Sequence, residues 1–137
     1  MLFKSLCFRI IYCPNLKKHF VIFDDGNKLD MMKTIFNSCQ DLEGISIREK
    51  KELEIVAKYS PKNFYILQIH NPLTLSPEDL ESFFISWGNR KSKKSLSLII
   101  VDNLIVEENM GIIEKYKNLG VIKNFEIRRF SNEELYL

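Results

Sequence analysis

The sequence is poor in the residue types that most often carry catalysis or hold metals. Its 137 residues include three cysteines, two histidines and one tryptophan. The cysteines, Cys7, Cys13 and Cys39, are odd in number and form no Cys-x-x-Cys pair. This pattern argues against a disulfide framework and against a zinc site of the usual spacing. We therefore expect reduced thiols, no bound metal, and an intracellular location in the cytoplasm or the nucleus.

The sequence also lacks an excess of charge of one sign and any long apolar run. The 20 basic and 18 acidic residues give a net charge of +2, which argues against a nucleic-acid binder. The one basic cluster, at 90–94, is interpreted as a solvated loop. No apolar run reaches the roughly 18 residues of a membrane span, so no membrane association is expected. The glycines form neither a P-loop nor a Gly-x-Gly-x-x-Gly motif, and we expect no cofactor.

What the sequence does contain is a regular alternation of helix and strand patterns. Apolar residues at three- and four-residue spacing predict helices over 27–38, 49–59, 77–88 and 107–118. The third is the clearest, because Ser76 suits the N-cap, Pro77 the first helical position and Asp79 a capping box. Gly120 is expected to end the fourth helix. Short runs rich in Ile, Val, Leu and Phe predict strands over 7–12, 18–23, 43–47, 64–69, 96–101 and 123–127.

The pattern apolar-x-x-apolar-x-apolar recurs at each later strand. Its copies are Leu42, Ile45 and Ile47; Phe64, Leu67 and Ile69; Leu96, Ile99 and Val101; and Ile122, Phe125 and Ile127. With a weaker copy that starts at Leu16, the final positions 21, 47, 69, 101 and 127 lie 26, 22, 32 and 26 residues apart. Repeats of this length stack so that neighbouring units share one core.

This repeat resembles a leucine-rich repeat. It predicts an α/β fold: a leucine-rich-repeat-like solenoid of about five strand–helix units, with the parallel sheet on one face and the helices on the other. The solenoid is expected to occupy residues 1–137 as a single domain. A plain α/β sandwich with accidental periodicity is the alternative.

Several stretches resemble a large family of F-box proteins that is expanded in arbuscular mycorrhizal fungi. They are YSPKNFYILQI (59–69), SPEDLESFFISWGNRKSKKSLSLIIV (76–101) and ENMGIIEKYKNLGVIKNFEI (108–127), with weaker similarity at 10–16 and 32–45. The resemblance implies repeats that recruit a protein for ubiquitination. An F-box, where one is present, would dock the adaptor of a cullin–RING (SCF) ubiquitin ligase. Because the chain opens inside the repeats, we expect a fragment that lacks the F-box.

Strand alternation predicts which side chains form the concave face of such a solenoid. The last two apolar residues of each copy point into the core, so the residue between them and the residue after them face away. These residues are Ser46, Arg48, Gln68, His70, Ile100, Asp102, Glu126 and Arg128. We expect them to bind a protein partner, as the concave faces of solenoids do. The chain is thus expected to be a monomeric, non-enzymatic interaction module.

Two alternatives to an interaction module are a truncated or vestigial fragment without a partner of its own and, less favoured by the sequence, an α/β enzyme. The enzyme would depend on Cys39 and His70 as a nucleophile and its base. Nothing in the sequence places these two residues together. Cys13 and Cys39 lie 26 residues apart, at the same position of successive units. A position that takes cysteine at each helix-to-strand turn favours a small packing residue.

Overall fold

The computed structural model describes residues 28–70, 75–90, 94–101 and 107–128 as four helices that alternate with four strands. The helices are α1 (Lys28–Ser38), α2 (Lys50–Tyr59), α3 (Pro77–Gly88) and α4 (Glu107–Asn118). The strands are β1 (Gly44–Ile47), β2 (Ile66–His70), β3 (Leu96–Val101) and β4 (Ile122–Arg128). Each element falls where the sequence predicts one. The predicted strands 7–12 and 18–23 lie outside the described residues.

The four strands form a parallel sheet whose spatial order, β1-β2-β3-β4, is the order of the chain. Parallel strands need a crossover, and such crossovers are almost always right-handed. Since every crossover here adds its strand on the same side of the previous one, all the helices are carried to one face of the sheet. The α/β class with a parallel sheet is therefore confirmed.

The main core lies between this sheet and the layer of helices. All four helices contribute to it; examples are Met32 from α1, Val56 from α2, Leu80 from α3 and Ile113 from α4, each 0% exposed. The strands contribute alternate side chains, as the two-residue period of a strand requires. These are Ile45, Ile47, Leu67, Ile69, Leu96, Leu98, Ile100 and Ile122.

Aromatic side chains link the units inside this core. Phe36 of α1 meets Phe64 at 5.7 Å between ring centroids, and Phe64 meets Trp87 of α3 at 6.0 Å. Further along, Phe84 of α3 meets Tyr116 of α4 at 5.3 Å. Trp87 is 0% exposed and its Nε1 donates a hydrogen bond to the Lys94 carbonyl at 3.0 Å. The contacts therefore run from the first described helix to the last.

The predicted end signals of the two last helices are confirmed. At the start of α3 the Asp79 amide donates to the Ser76 hydroxyl at 3.1 Å, and the Ser76 amide donates to the Asp79 carboxylate at 3.1 Å. This reciprocal capping box satisfies two backbone donors that the first helical turn leaves free. After α4, Gly120 adopts a positive φ of 83°, which glycine tolerates without steric cost.

Candidate protein-binding surface

The face of the sheet opposite the helices, the outer face, carries the predicted binding residues. Its members are the strand residues that alternate with the core positions. In register order they are Ser46 on β1; Ile66, Gln68 and His70 on β2; Ser97, Ile99 and Val101 on β3; and Asn124, Glu126 and Arg128 on β4. Ser46, Gln68 and Glu126 lie in one row across the sheet, with Ile99 between the last two.

Most of the predicted residues lie on this face. Ser46, Gln68, His70, Glu126 and Arg128 are outer-face residues. Glu126 and Arg128 are exposed, as is Arg48, which directly follows β1, whereas Ser46 and Gln68 are buried. Asp102 lies outside the described residues. That this surface binds a protein stays a prediction.

The prediction for Ile100 is wrong. Ile100 is 0% exposed and belongs to the main core, and its neighbours Ile99 and Val101 are the ones on the outer face. The cause is a β-bulge: Leu96 pairs with Ile122, but Ser97 pairs with Asn124, so one residue of β4 stands opposite no residue of β3. The first two core residues of β3, Leu96 and Leu98, are therefore two residues apart, whereas the corresponding residues at β1 and β2 are three apart. Sequence periodicity could not detect the shift, because 98–101 are all apolar.

The outer face also contains an apolar strip that the sequence pattern did not predict. Ile66, Ile99 and Val101, which are 5%, 9% and 8% exposed, form a small buried apolar cluster of their own, and Tyr65 packs against it. This apolar strip lies on the outer face, between polar residues of β1 and β4. The sequence signal for this strip is the unbroken run LIIV at 98–101. Four consecutive apolar residues in a strand place apolar side chains on both of its faces.

At β1 and β2 the outer face holds a polar cluster. Ser46 is 1% exposed, and its Oγ has no hydrogen-bond partner. The Gln68 side-chain amide donates to Nε2 of His70 at 2.8 Å, which requires neutral His70 with its proton on Nδ1. Burial lowers the pKa of His70 below the usual 6.5, and the nearby positive charge of Arg48 lowers it further. The neutral imidazole is thus the form that this environment favours.

At the opposite edge, β4 carries exposed charges. Nε of Arg128 lies 3.0 Å from Oε1 of Glu126, its neighbour on the same face of the strand. Both side chains are about half exposed, so the ion pair contributes little to folding stability. These charges can therefore exchange one partner for another at low cost, a property suited to a binding surface.

Cys39 lies on the other side of the sheet, in the main core, directly after α1. It is 0% exposed and its amide donates to the Ile35 carbonyl at 2.8 Å. His70 belongs to the outer face, so the structure does not bring the imagined Cys39–His70 pair together. The burial of Cys39 agrees with its interpretation as a packing residue.

Metal-ligand clusters and membrane-spanning helices are both absent from the described ranges. Across these ranges, no group of three or more His, Cys, Asp or Glu residues could hold a metal ion. None of the four described helices has the length and apolar character to cross a membrane. No protein family, curated protein or solved structure matches the chain. The resemblance to F-box proteins therefore rests on the sequence stretches that carry it.

Proposed function

We propose that the chain is a protein-interaction module of leucine-rich-repeat-like units, which binds a partner protein on the outer face of its sheet. The observation that carries this proposal is the strand order β1-β2-β3-β4, with every strand parallel and every crossover helix on one face. A solenoid of strand–helix units requires this arrangement, whereas a doubly wound sheet reverses its strand order and places helices on both faces.

Contacts between successive units support the same architecture. Arg90, which follows α3, donates to the hydroxyl and carbonyl oxygens of Ser60, which follows α2. One unit further on, Nζ of Lys115 on α4 lies 2.7 Å from a carboxylate oxygen of Glu81 on α3. These contacts join the units of α2 and α3 and the units of α3 and α4, and each helix packs against the next one along the chain.

The resemblance to F-box proteins supplies the biological context of the proposal. In that context the partner is a protein to be ubiquitinated, and the chain provides the substrate-recognition repeats. An adaptor of a cullin–RING ligase is engaged only if an F-box is present elsewhere. The exposed mixed charges of the outer face, Arg48, Glu126 and Arg128, fit such a role, because the rim of a protein-binding surface is polar.

A pull-down with two matched triple variants tests the proposal. The outer-face variant replaces Arg48, Glu126 and Arg128 with alanine; the control replaces Lys51, Glu114 and Lys117, which are exposed on the helices. Both variants remove two positive charges and one negative charge. We expect wild type and control to capture the same proteins from cell extract, and the outer-face variant to lose them. Equal capture by both variants, or none by wild type, would contradict a binding role for this face.

A further inference from the structure

The outer face has two hollows: the first extends along β3 and β4 as far as Arg128, and the second lies at the amino ends of the strands. The two hollows adjoin each other, have volumes of about 510 and 480 Å³, and share Tyr65, Ser97 and Asn124 as common lining. The Asn124 side-chain amide donates to the Ser97 hydroxyl at 3.3 Å and so joins β3 to β4 across the floor. The first hollow continues onto Ile66 and Ile99, which belong to the apolar strip.

The second hollow carries a local excess of positive charge. Lys94 and Lys123 line it, both exposed, and Glu43 is the single carboxylate in its lining. Nζ of Lys94 lies 5.2 Å from the centroid of the Tyr65 ring. Within the described chain neither lysine forms an ion pair. Two ammonium groups against one carboxylate favour the approach of an anionic group.

The β-bulge explains why the side chain of Lys123 lines the second hollow. Lys123 is the residue of β4 that stands opposite no residue of β3. A bulge turns the extra side chain away from its regular direction and is often found where a sheet presents a functional group. The core position Ile122 and the outer-face position Asn124 are therefore both kept, while Lys123 joins Lys94 in lining the hollow.

The spacing of Ser97 and Ile99 along β3 determines which partner segment fits the hollows. Ser97, in both hollows, and Ile99, in the apolar strip, are two residues apart on the same face. Two residues of a strand span about 7 Å, and side chains at i and i+2 of an extended chain point to the same side. An extended segment therefore presents an acidic and an apolar side chain to this surface when they are separated by one residue.

We propose that these hollows bind an extended segment of a partner protein in which an acidic side chain lies between Lys94 and Lys123 and an apolar side chain, two residues along, packs over Ile99. The inference rests on the proposed function, since it names the kind of partner segment that the outer face takes. The ion pairs supply orientation. Because Ile99 is only 9% exposed, the apolar area that becomes buried is mainly that of the partner's own side chain, which enters the hollow beside Tyr65.

Selection from a random library tests the inference without a known partner. The probe is a phage-displayed library of random peptides of about nine residues, each able to span the sheet at about 3.3 Å per residue. The full chain, its Lys94→Glu/Lys123→Glu variant and a Lys51→Glu/Lys117→Glu control are immobilised in parallel. The control makes the same change in net charge on the helical face. Enriched peptides are then synthesised and their Kd values measured by fluorescence polarisation.

We expect wild type and control to enrich peptides with the spacing acidic-x-apolar, and Lys94→Glu/Lys123→Glu to bind them about tenfold or more weakly. The control should keep the Kd within about twofold. Enrichment of peptides without an acidic residue, no enrichment, or equal binding by the Lys94→Glu/Lys123→Glu variant overturns the inference. Binding of poly-uridylate RNA instead of peptide also overturns the inference, if the Lys94→Glu/Lys123→Glu variant loses that binding and the control keeps it.

The result is separable from the test of the proposed function. The pull-down alters Arg48, Glu126 and Arg128, of which the last two line the first hollow, and leaves Lys94 and Lys123 in place. If the outer-face variant loses its partners while the peptide selection fails, the face binds protein but not through an acidic side chain between Lys94 and Lys123. If both experiments fail, the interaction role itself is wrong.

Discussion

At the scale of single residues, position relative to the sheet decides what each polar side chain can do. Cys39 and His70, the two residues that a nucleophile–base pair would need, are separated by the sheet. His70 instead accepts a hydrogen bond from Gln68 on the outer face, in an environment that favours its neutral form. A residue that looks catalytic in a list of residue types therefore becomes, in the fold, part of a surface whose charge depends on pH.

His70 should make folding stability depend on pH. Its pKa in the folded chain is lowered below 6.5 by burial and by Arg48, so the folded chain binds fewer protons than the unfolded chain between the two values. Its contribution to stability is therefore full above the unfolded pKa and is lost as the pH falls through that value toward the lowered one. We expect urea denaturation at about pH 8 and about pH 5 to show a smaller loss of stability for His70→Gln than for wild type.

A lysine on the helical face provides the control for this measurement. Lys117 is exposed in wild type, and Lys117→Gln keeps His70 and should lose stability between the two pH values as wild type does. Arg48→Gln should raise the pKa of His70 toward its usual value, which an NMR titration of the His70 ring protons would report. An unchanged pH dependence in His70→Gln would show that other groups cause it.

At the scale of elements, the sequence predicts features that depend on residues within one helical turn, such as the start of α3. It does not predict features that depend on how a strand pairs with its neighbour, such as the two faces of β3. Ser76, Pro77 and Asp79 specify the start of α3 through bonds among themselves. The faces of β3 depend on how it pairs with β4, and the bulge at Ser97 lies in that pairing. Since Ile99 and Ile100 are equally apolar, no local pattern tells which one is covered by the helices. The outer-face hollows could not be predicted for the same reason.

The two glycines of the α4 region should respond in opposite directions to the same substitution. Gly111 lies inside α4, and a Cβ there would meet no atom within 4 Å. Gly111→Ala should therefore stabilise the chain by about 0.5–1 kcal/mol, the difference in helix propensity. Gly120→Ala should destabilise it by about 1–2 kcal/mol, because φ at this position is 83°. Urea midpoints of the two variants check both signs, and shifts in the same direction would contradict the argument.

At the scale of the whole molecule, the core is shared rather than divided among the units. Aromatic contacts join Phe36 to Phe64 and Phe64 to Trp87, so neighbouring units bury parts of one another. Consecutive strands pair and consecutive helices pack. A strand–helix unit separated from its neighbours would expose these apolar faces, and none is expected to be stable alone.

We expect the chain to unfold in a single cooperative transition. Trp87, the one tryptophan, is fully buried between the unit of α2 and β2 and the unit of α3 and β3, where it meets Phe64. Its fluorescence therefore reports on the packing of one unit against the next. Helix content, measured by far-ultraviolet circular dichroism, reports on all units together. The two urea transitions should coincide. A change in Trp87 fluorescence that precedes the loss of helix would show that the units separate before they unfold.

The strand order β1-β2-β3-β4 also bears on how the gene for such a chain can change. Every described strand is preceded by its helix and adds to the sheet beside the strand before it. Duplication or deletion of one helix–strand segment then lengthens or shortens the sheet by one strand, while the remaining neighbours keep the same kind of contact. Recombination between repeats would thus alter the width of the outer face by whole strands, and with it the area that the face offers to a partner.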